Sequence, residues 1–392
     1  MKKYLLLIVL LFGFELFDLN IINTTIAHFL SIVSIIIIAI GLVFKKEHIL
    51  PYRFDKLIYV FFFGIAINIY IMKFYSNLSN YDTFFALLNY FGFLLYFFLH
   101  KYNFKENEII NIITGFAFVV SILMIFQQIV KPIQLFNQLA LQDSFLDNRG
   151  TVRVRIPGMI LVVFSYFYFL HNFIKFNKLK HILFAIFFLI VLILQGFRSI
   201  TISILICSAF VYWYSGKSKY KITGKKIILL LIILGVSTII ITQVEYLNNI
   251  LEEMIFQSEK DKKSSFENVR VLGIIYYLST IKTEFWMYIT GSGLRLPFKT
   301  PPNLFAVDLG FFGFYAMAGL IPAYAVLKLF IKSFMNAKSV RFIVGAGFFL
   351  YLILNCFLFN WEPFRTGIFQ VFSLIFYLID LRLYKEIKII KN

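Results

Sequence analysis

Apolar residues dominate long, uninterrupted stretches of this chain, and polar residues fall between them in short clusters. A window of about 19 residues picks out about twelve such stretches. They start near Tyr4, Ile26, Leu57, Thr83, Ile109, Pro157, Ile182, Ile200, Ile227, Phe305, Phe342 and Gly367. Each suits a helix crossing a hydrocarbon core about 30 Å thick. The pattern predicts an all-α, polytopic integral membrane protein with about 12 transmembrane helices, forming a single membrane domain over residues 1–392. The run that follows Lys2 and Lys3 begins like a signal peptide. No small-x-small cleavage site precedes Glu15 and Asp18, so it is kept as the first span.

Composition supports this and removes alternatives. With 60% apolar residues, 20% aromatics and a mean hydropathy of +0.83, a soluble globule is excluded. The formal charge of +18 is spread through short inter-helix loops rather than gathered on a stripe with stacking aromatics. Nucleic acid is therefore not expected as a partner; the lipid bilayer is. Cys207 and Cys356 both lie inside apolar runs and read as helix packing residues, not as a disulfide or a thiolate metal site.

The loop charges set an orientation. With a cytoplasmic N-terminus, the inner loops and tail hold 24 of the 38 basic residues, which favours this topology over its inverse. Both termini are then cytoplasmic. Lysine obeys the rule and arginine breaks it: Arg53, Arg341 and Arg382 lie inside, whereas Arg149, Arg153, Arg155, Arg198, Arg270, Arg295 and Arg365 lie outside. Guanidinium presents a fixed fork of donors that matches phosphate oxygens, so the outer arginines point to a phosphate-bearing ligand. Pairing with outer-loop carboxylates such as Asp143, Glu252 and Glu284 is the competing explanation.

Two outer loops are long, roughly 131–156 and 243–304, and loops of that size tend to be functional. The second is expected to contain short helices. Tyr246, Leu247, Ile250, Leu251, Met254 and Ile255 share one helical face, and Ser264 with Glu267 forms a possible capping box ahead of Arg270. Arg198 sits in a turn between two short apolar runs of about 16 residues, so its charge is expected near membrane depth, where an ionisable group marks function. Arg153 and Arg155 share one side of an extended stretch leading to Pro157.

Several of these residues together resemble the bacterial O-antigen polymerase and O-antigen ligase superfamily. Gly196-Phe197-Arg198-Ser199 resembles its arginine-serine turn. Arg270, Trp286 and Gly291-Ser292-Gly293 resemble its large-loop series, and Asn303, Asp308-Leu309-Gly310 and Gly313 resemble the end of that loop. The resemblance implies glycosyl transfer from undecaprenyl-diphosphate-linked oligosaccharide at the outer face of the inner membrane. It further implies a chain-length regulator and a flippase as working partners, and no cofactor. Ligases of the superfamily carry a histidine before that asparagine. Here the position is Pro302, which favours the polymerase.

Glycosyl transfer needs a stabiliser for the departing diphosphate and a base for the attacking hydroxyl. The residues assign Arg198 and Arg270 to the first role, supported by Arg149, Arg153, Arg155 and Arg295, and Asp308 to the second. Trp286 is a candidate for stacking on sugar and Gly291 and Gly293 for close loop approach, and the resemblance implies substrate binding by Asn303. No outer cluster of acids and histidines has the look of a metal site, so transfer is expected to be metal-independent. A ligase, or a transporter of the same lipid-linked sugar, remains as an alternative.

Overall fold

The computed structural model describes residues 2–44, 51–76, 88–130, 133–137, 156–195, 198–216, 287–291, 310–357 and 367–391. Among them the chain is helical, with one isolated antiparallel bridge between Leu19 and Phe136. In order come α1 (Lys2–Gly13), α2 (Thr24–Phe44), α3 (Asp55–Ser76), α4 (Leu94–Tyr102), α5 (Glu106–Val130), α6 (Ile160–Phe176), α7 (Leu179–Leu194) and α8 (Arg198–Gly216). They are followed by α9 (Met287–Thr290), α10 (Gly310–Ala318), α11 (Leu320–Ser339), α12 (Ile343–Phe357) and α13 (Ile368–Lys391).

Three helices, α2, α5 and α11, are long and apolar enough to cross a membrane, at 21, 25 and 20 residues. Helices α6, α7, α8 and α12 are shorter and apolar. Their outward faces are hydrocarbon: Ile26, Phe29, Ile36, Ile40 and Val43 on α2, Ile122 and Ile129 on α5, and Ile202 and Leu205 on α8 are exposed. A helix apolar on all sides yet buried on only one is stable in lipid and not in water.

The interior is built around α13, whose residues from Ile368 to Leu381 are buried throughout. Lipid tails are as apolar as leucine, so burial alone does not drive helices together there; close packing and polar contacts must. Rings supply the packing. Phe376 stacks on Phe54 at 4.6 Å between centroids, Phe369 meets Phe93 edge-on at 4.7 Å, and Phe372 meets Phe330 at 5.1 Å. Such pairs contribute roughly 0.5–1.5 kcal/mol each beyond area.

Polar contacts supply the register. Gln370, Ser373, Tyr377 and Asp380 follow one another at helical spacing on α13 and face the segment 89–100. Ser373 donates to the Gly92 carbonyl at 3.1 Å. Asp380 accepts from the Tyr96 hydroxyl at 2.5 Å and lies 3.2 Å from His100 Nε2, with both its own side chain and that of His100 fully buried. The Tyr96 oxygen in turn accepts from the backbone N–H of Arg53 and Phe54, at 3.0 and 3.3 Å, which fixes the entry to α3.

The contacts also sort the loops into two ends. At one end Lys2 donates to the Asn103 carbonyl at 2.8 Å, Arg382 and Lys385 hold Glu106 at 2.8 and 2.7 Å, and His171 meets Ser215 at 2.8 Å. These are loops the charge pattern placed together. At the other end Asn137 bonds Asp18 at 2.7 Å, and the Asn20 N–H bonds the Leu135 carbonyl at 2.7 Å. The Lys2 and Arg382 regions therefore share one face.

Three expected spans are interrupted. The first stops at Gly13, after 12 residues or about 18 Å, and continues as a 3-10 turn, Glu15–Asp18. The stretch expected from Thr83 is described from Leu88, as a 3-10 turn at Tyr90–Phe93 followed by nine-residue α4. The span expected from Phe305 breaks at Gly319, φ 88°, between α10 and α11. There Gly319 lies against Thr290 and Gly291 so closely that a Cβ on either glycine would sit about 2.5 Å from backbone atoms of the other segment. Asn68 staples the crossing by donating to the carbonyls of Thr290 and Met317. Lys328 and Lys332, expected in an inner loop, lie within α11, and Lys332 bonds the Arg53 carbonyl. The span expected at Ile227 lies outside the described residues.

Replacing Asp380 by alanine should cost about 3–5 kcal/mol, because Tyr96 and His100 would lose a buried acceptor. Thermal unfolding in detergent checks this, with Asp380→Asn expected to lose less.

Candidate functional site at the broken end of the first helix

Where α1 stops, Glu15, Leu16, Phe17 and Asp18 all adopt positive φ, at 52°, 49°, 67° and 55°. A left-handed backbone costs an L-residue roughly 1–2 kcal/mol, so four in succession require support from around them. The support is visible. Gly13 lies under the Gln370 amide, where a Cβ would meet Gln370 Nε2 at 1.9 Å. The Phe14 ring packs against Gly158, Gly367 and Phe116. Asn137 grips the turn from above, its amide reaching the Asp18 carboxylate at 2.7 Å and its own N–H bonding the Asp18 carbonyl at 2.9 Å.

The strained turn presents Glu15 to a small polar cavity of about 80 Å³, lined by His28, Ser31, Asn89 and Gln370 among others. That volume holds a few waters, each needing roughly 10–15 Å³. Glu15 Oε1 lies 3.2 Å from His28 Nδ1 and accepts from Ser31 Oγ at 3.2 Å. Its side chain is 11% exposed while that of His28 is 35% exposed, so the carboxylate sits behind the imidazole. Gln370 Oε1 is buried with no hydrogen-bond partner among the described residues. A carboxylate behind an imidazole fixes the ring orientation and stabilises its cation, the arrangement used to make histidine a base.

Burial raises the Asp18 carboxyl above the usual carboxylate range, and the Glu15 charge adds to this, while the Asn137 bond and His28 oppose it.

Of the residues expected to form the site, Arg149, Arg153, Arg155, Arg270, Trp286, Gly293, Arg295, Asn303 and Asp308 lie outside the described residues, as does Arg365. Arg198 opens α8, and α7 before it is 16 residues long, as the spacing implied. Just after α7, Gln195 is buried with its Oε1 unpaired among the described residues. Gly291 is buried in the crossing with Gly319, so its lack of a side chain is accounted for by packing. Gly158, three residues after Arg155, and Gly367, two after Arg365, both pack on the Phe14 ring, next in the chain to Glu15.

Sequence reasoning did not single out Glu15 or His28 as site residues. A signal was present. His28, Ser31 and Ser34 recur at helical spacing on an otherwise hydrocarbon helix, and a polar stripe in such a helix needs a partner. Ser34 finds the Val9 carbonyl at 2.8 Å, so the lower part of the stripe only seats α1, and the upper part holds Glu15.

No protein-family model and no curated protein matches this chain.

Asp18→Asn keeps an acceptor for Asn137 and removes a charge that burial disfavours. A raised folded-state pKa means that Asp18 favours the fold below its unfolded pKa, and that this is lost as pH rises through the folded value. The variant should therefore melt no lower than the parent at pH 7 and show a flatter dependence of melting temperature on pH.

Proposed function

We propose that this chain is a membrane glycosyltransferase that polymerises undecaprenyl-diphosphate-linked oligosaccharide repeats on the outer face of a bacterial inner membrane. The observation that carries the reading is the Glu15–His28 pair at the end of the bundle assigned outward, with the segments following Arg155 and Arg365 packed beside it. About twelve spans with both termini cytoplasmic complete the picture, in keeping with Lys2 and Arg382 sharing a face. The resemblance in the 196–199, 270–293 and 303–313 motifs points the same way.

In this reading a sugar hydroxyl at the non-reducing end of one repeat attacks the anomeric carbon of another. His28 takes the hydroxyl proton while Glu15 stabilises the resulting imidazolium. The new glycosidic C–O bond forms as the bond from the anomeric carbon to the diphosphate oxygen breaks. The undecaprenyl diphosphate leaves with its negative charge held by Arg198 and Arg270, aided by Arg153 and Arg155. The Glu15–His28 pair takes over the role the sequence had offered to Asp308. Because the cavity beside Glu15 is small, the sugar would rest at its mouth with one hydroxyl inside.

Transport of the same lipid-linked sugar is the second reading. It is favoured by the interruptions at Gly13 and Gly319, since broken helices are common in transporters.

His28→Gln should lower polymer formation by roughly 10²–10⁴-fold at normal protein level, as expected for loss of a general base. Arg198→Ala and Arg270→Ala should each shift the surface glycan toward a single repeat on a gel. Unchanged chain length in all three would refute the assignment. Purified protein in liposomes separates the readings: longer lipid-diphosphate glycan marks a polymerase, glycan moved to a different acceptor a ligase, and translocation without new bonds a transporter. Activity should persist in excess chelator, and loss restored by a divalent ion would refute metal-independent transfer.

A further inference from the structure

A second cavity, of about 710 Å³, opens at the opposite end of the bundle, where Lys2 and Arg382 lie. It is walled by the ends of α5, α6, α8, α11 and α12. Its lining is cationic: Lys175, Lys338, Arg341 and Arg382 face one carboxylate, Glu106. Glu106 is already held by Arg382 and Lys385, at 2.8 and 2.7 Å. Lys175, Lys338 and Arg341 pair with no carboxylate among the described residues. Aromatic rings position the two lysines, with Lys338 5.2 Å from the Tyr214 ring centre and Lys175 5.1 Å from that of Phe176. Arg341 is held at φ 52°, at the tight turn between α11 and α12.

The floor is polar as well. Asn172 is only 8% exposed and lines the cavity. Beside it His171 and Ser215 bond each other at 2.8 Å. Lysines that merely set topology need neither a cavity nor a buried amide beside them. Three cations and a nearly buried amide lining one cavity offer the donors that phosphate oxygens accept from.

We infer that this cavity binds a phosphate-bearing anion, its oxygens held by Lys175, Lys338 and Arg341 and its inner edge by the Asn172 amide. The site is separate from the glycosyl transfer proposed above and does not depend on it. An anionic phospholipid headgroup and a soluble phosphate ester share the required chemistry.

The test uses the full chain in phosphatidylcholine nanodiscs. One arm titrates inorganic pyrophosphate and follows thermal unfolding. The other adds phosphatidylglycerol and counts retained lipid by native mass spectrometry. Retained phosphatidylglycerol identifies a headgroup site, and stabilisation by pyrophosphate alone a soluble ligand. In either case the triple variant K175Q/K338Q/R341Q should weaken binding at least about tenfold, since it removes every charge-assisted bond assigned to the ligand. Lys178→Gln with Lys180→Gln, which removes exposed cations on the same face outside the cavity, should leave binding unchanged. Binding in neither arm, or an equal loss in the Lys178 and Lys180 control, overturns the proposal. So does full binding by Asn172→Leu, which would reduce the site to a loose cationic surface.

Discussion

A fully buried carboxylate, Asp380, holds the interior together, and its position constrains the elements around it. In an apolar surrounding a buried polar group is costly unless it is hydrogen-bonded. Tyr96 and His100 approach the Asp380 Oδ2 from α4, and Tyr96 passes the constraint to α3 through two backbone donors. One acid thus fixes three helices in both depth and rotation. Aromatic stacking alone would not do so, because Phe54, Phe93, Phe349 and Phe376 present similar surfaces at neighbouring registers. Polar contacts of this kind give uniqueness, while ring packing gives close fit.

The helical class and most helix positions were legible from hydropathy, since it reports long apolar runs directly. The grouping of loops at two ends was legible from lysine, and Lys2, Glu106, Arg382 and Lys385 meet as that grouping requires. The interruptions were not legible. Hydropathy averages over a window, and Gly13, Phe14 and Gly319 do not lower the average even though the backbone turns there. Nor could periodicity tell that Lys328 and Lys332 continue a helix, because a long lysine stem can leave an apolar helix face and still reach a polar partner.

The candidate site was only half readable. Arginine placement and Asp308 directed attention to the large loops, and those residues lie outside the described ones. The Glu15–His28 pair joins residue 15 to residue 28, across a turn whose left-handed backbone no propensity scale favours. Such a turn exists because its surroundings hold it: the Gln370 amide, the rings around Phe14, and Asn137. Local preference was overruled by tertiary contact, as expected where a fold commits strain to a site.

The contact of Gly13 with Gln370, and of Phe14 with Gly367, has a consequence for biogenesis. During membrane insertion α1 is made first, and it must wait for α13 before its end can close. Until then Glu15 has no settled backbone and the pair with His28 has no fixed geometry. A chain cut short before residue 367 would enter the bilayer without the contacts that hold this turn.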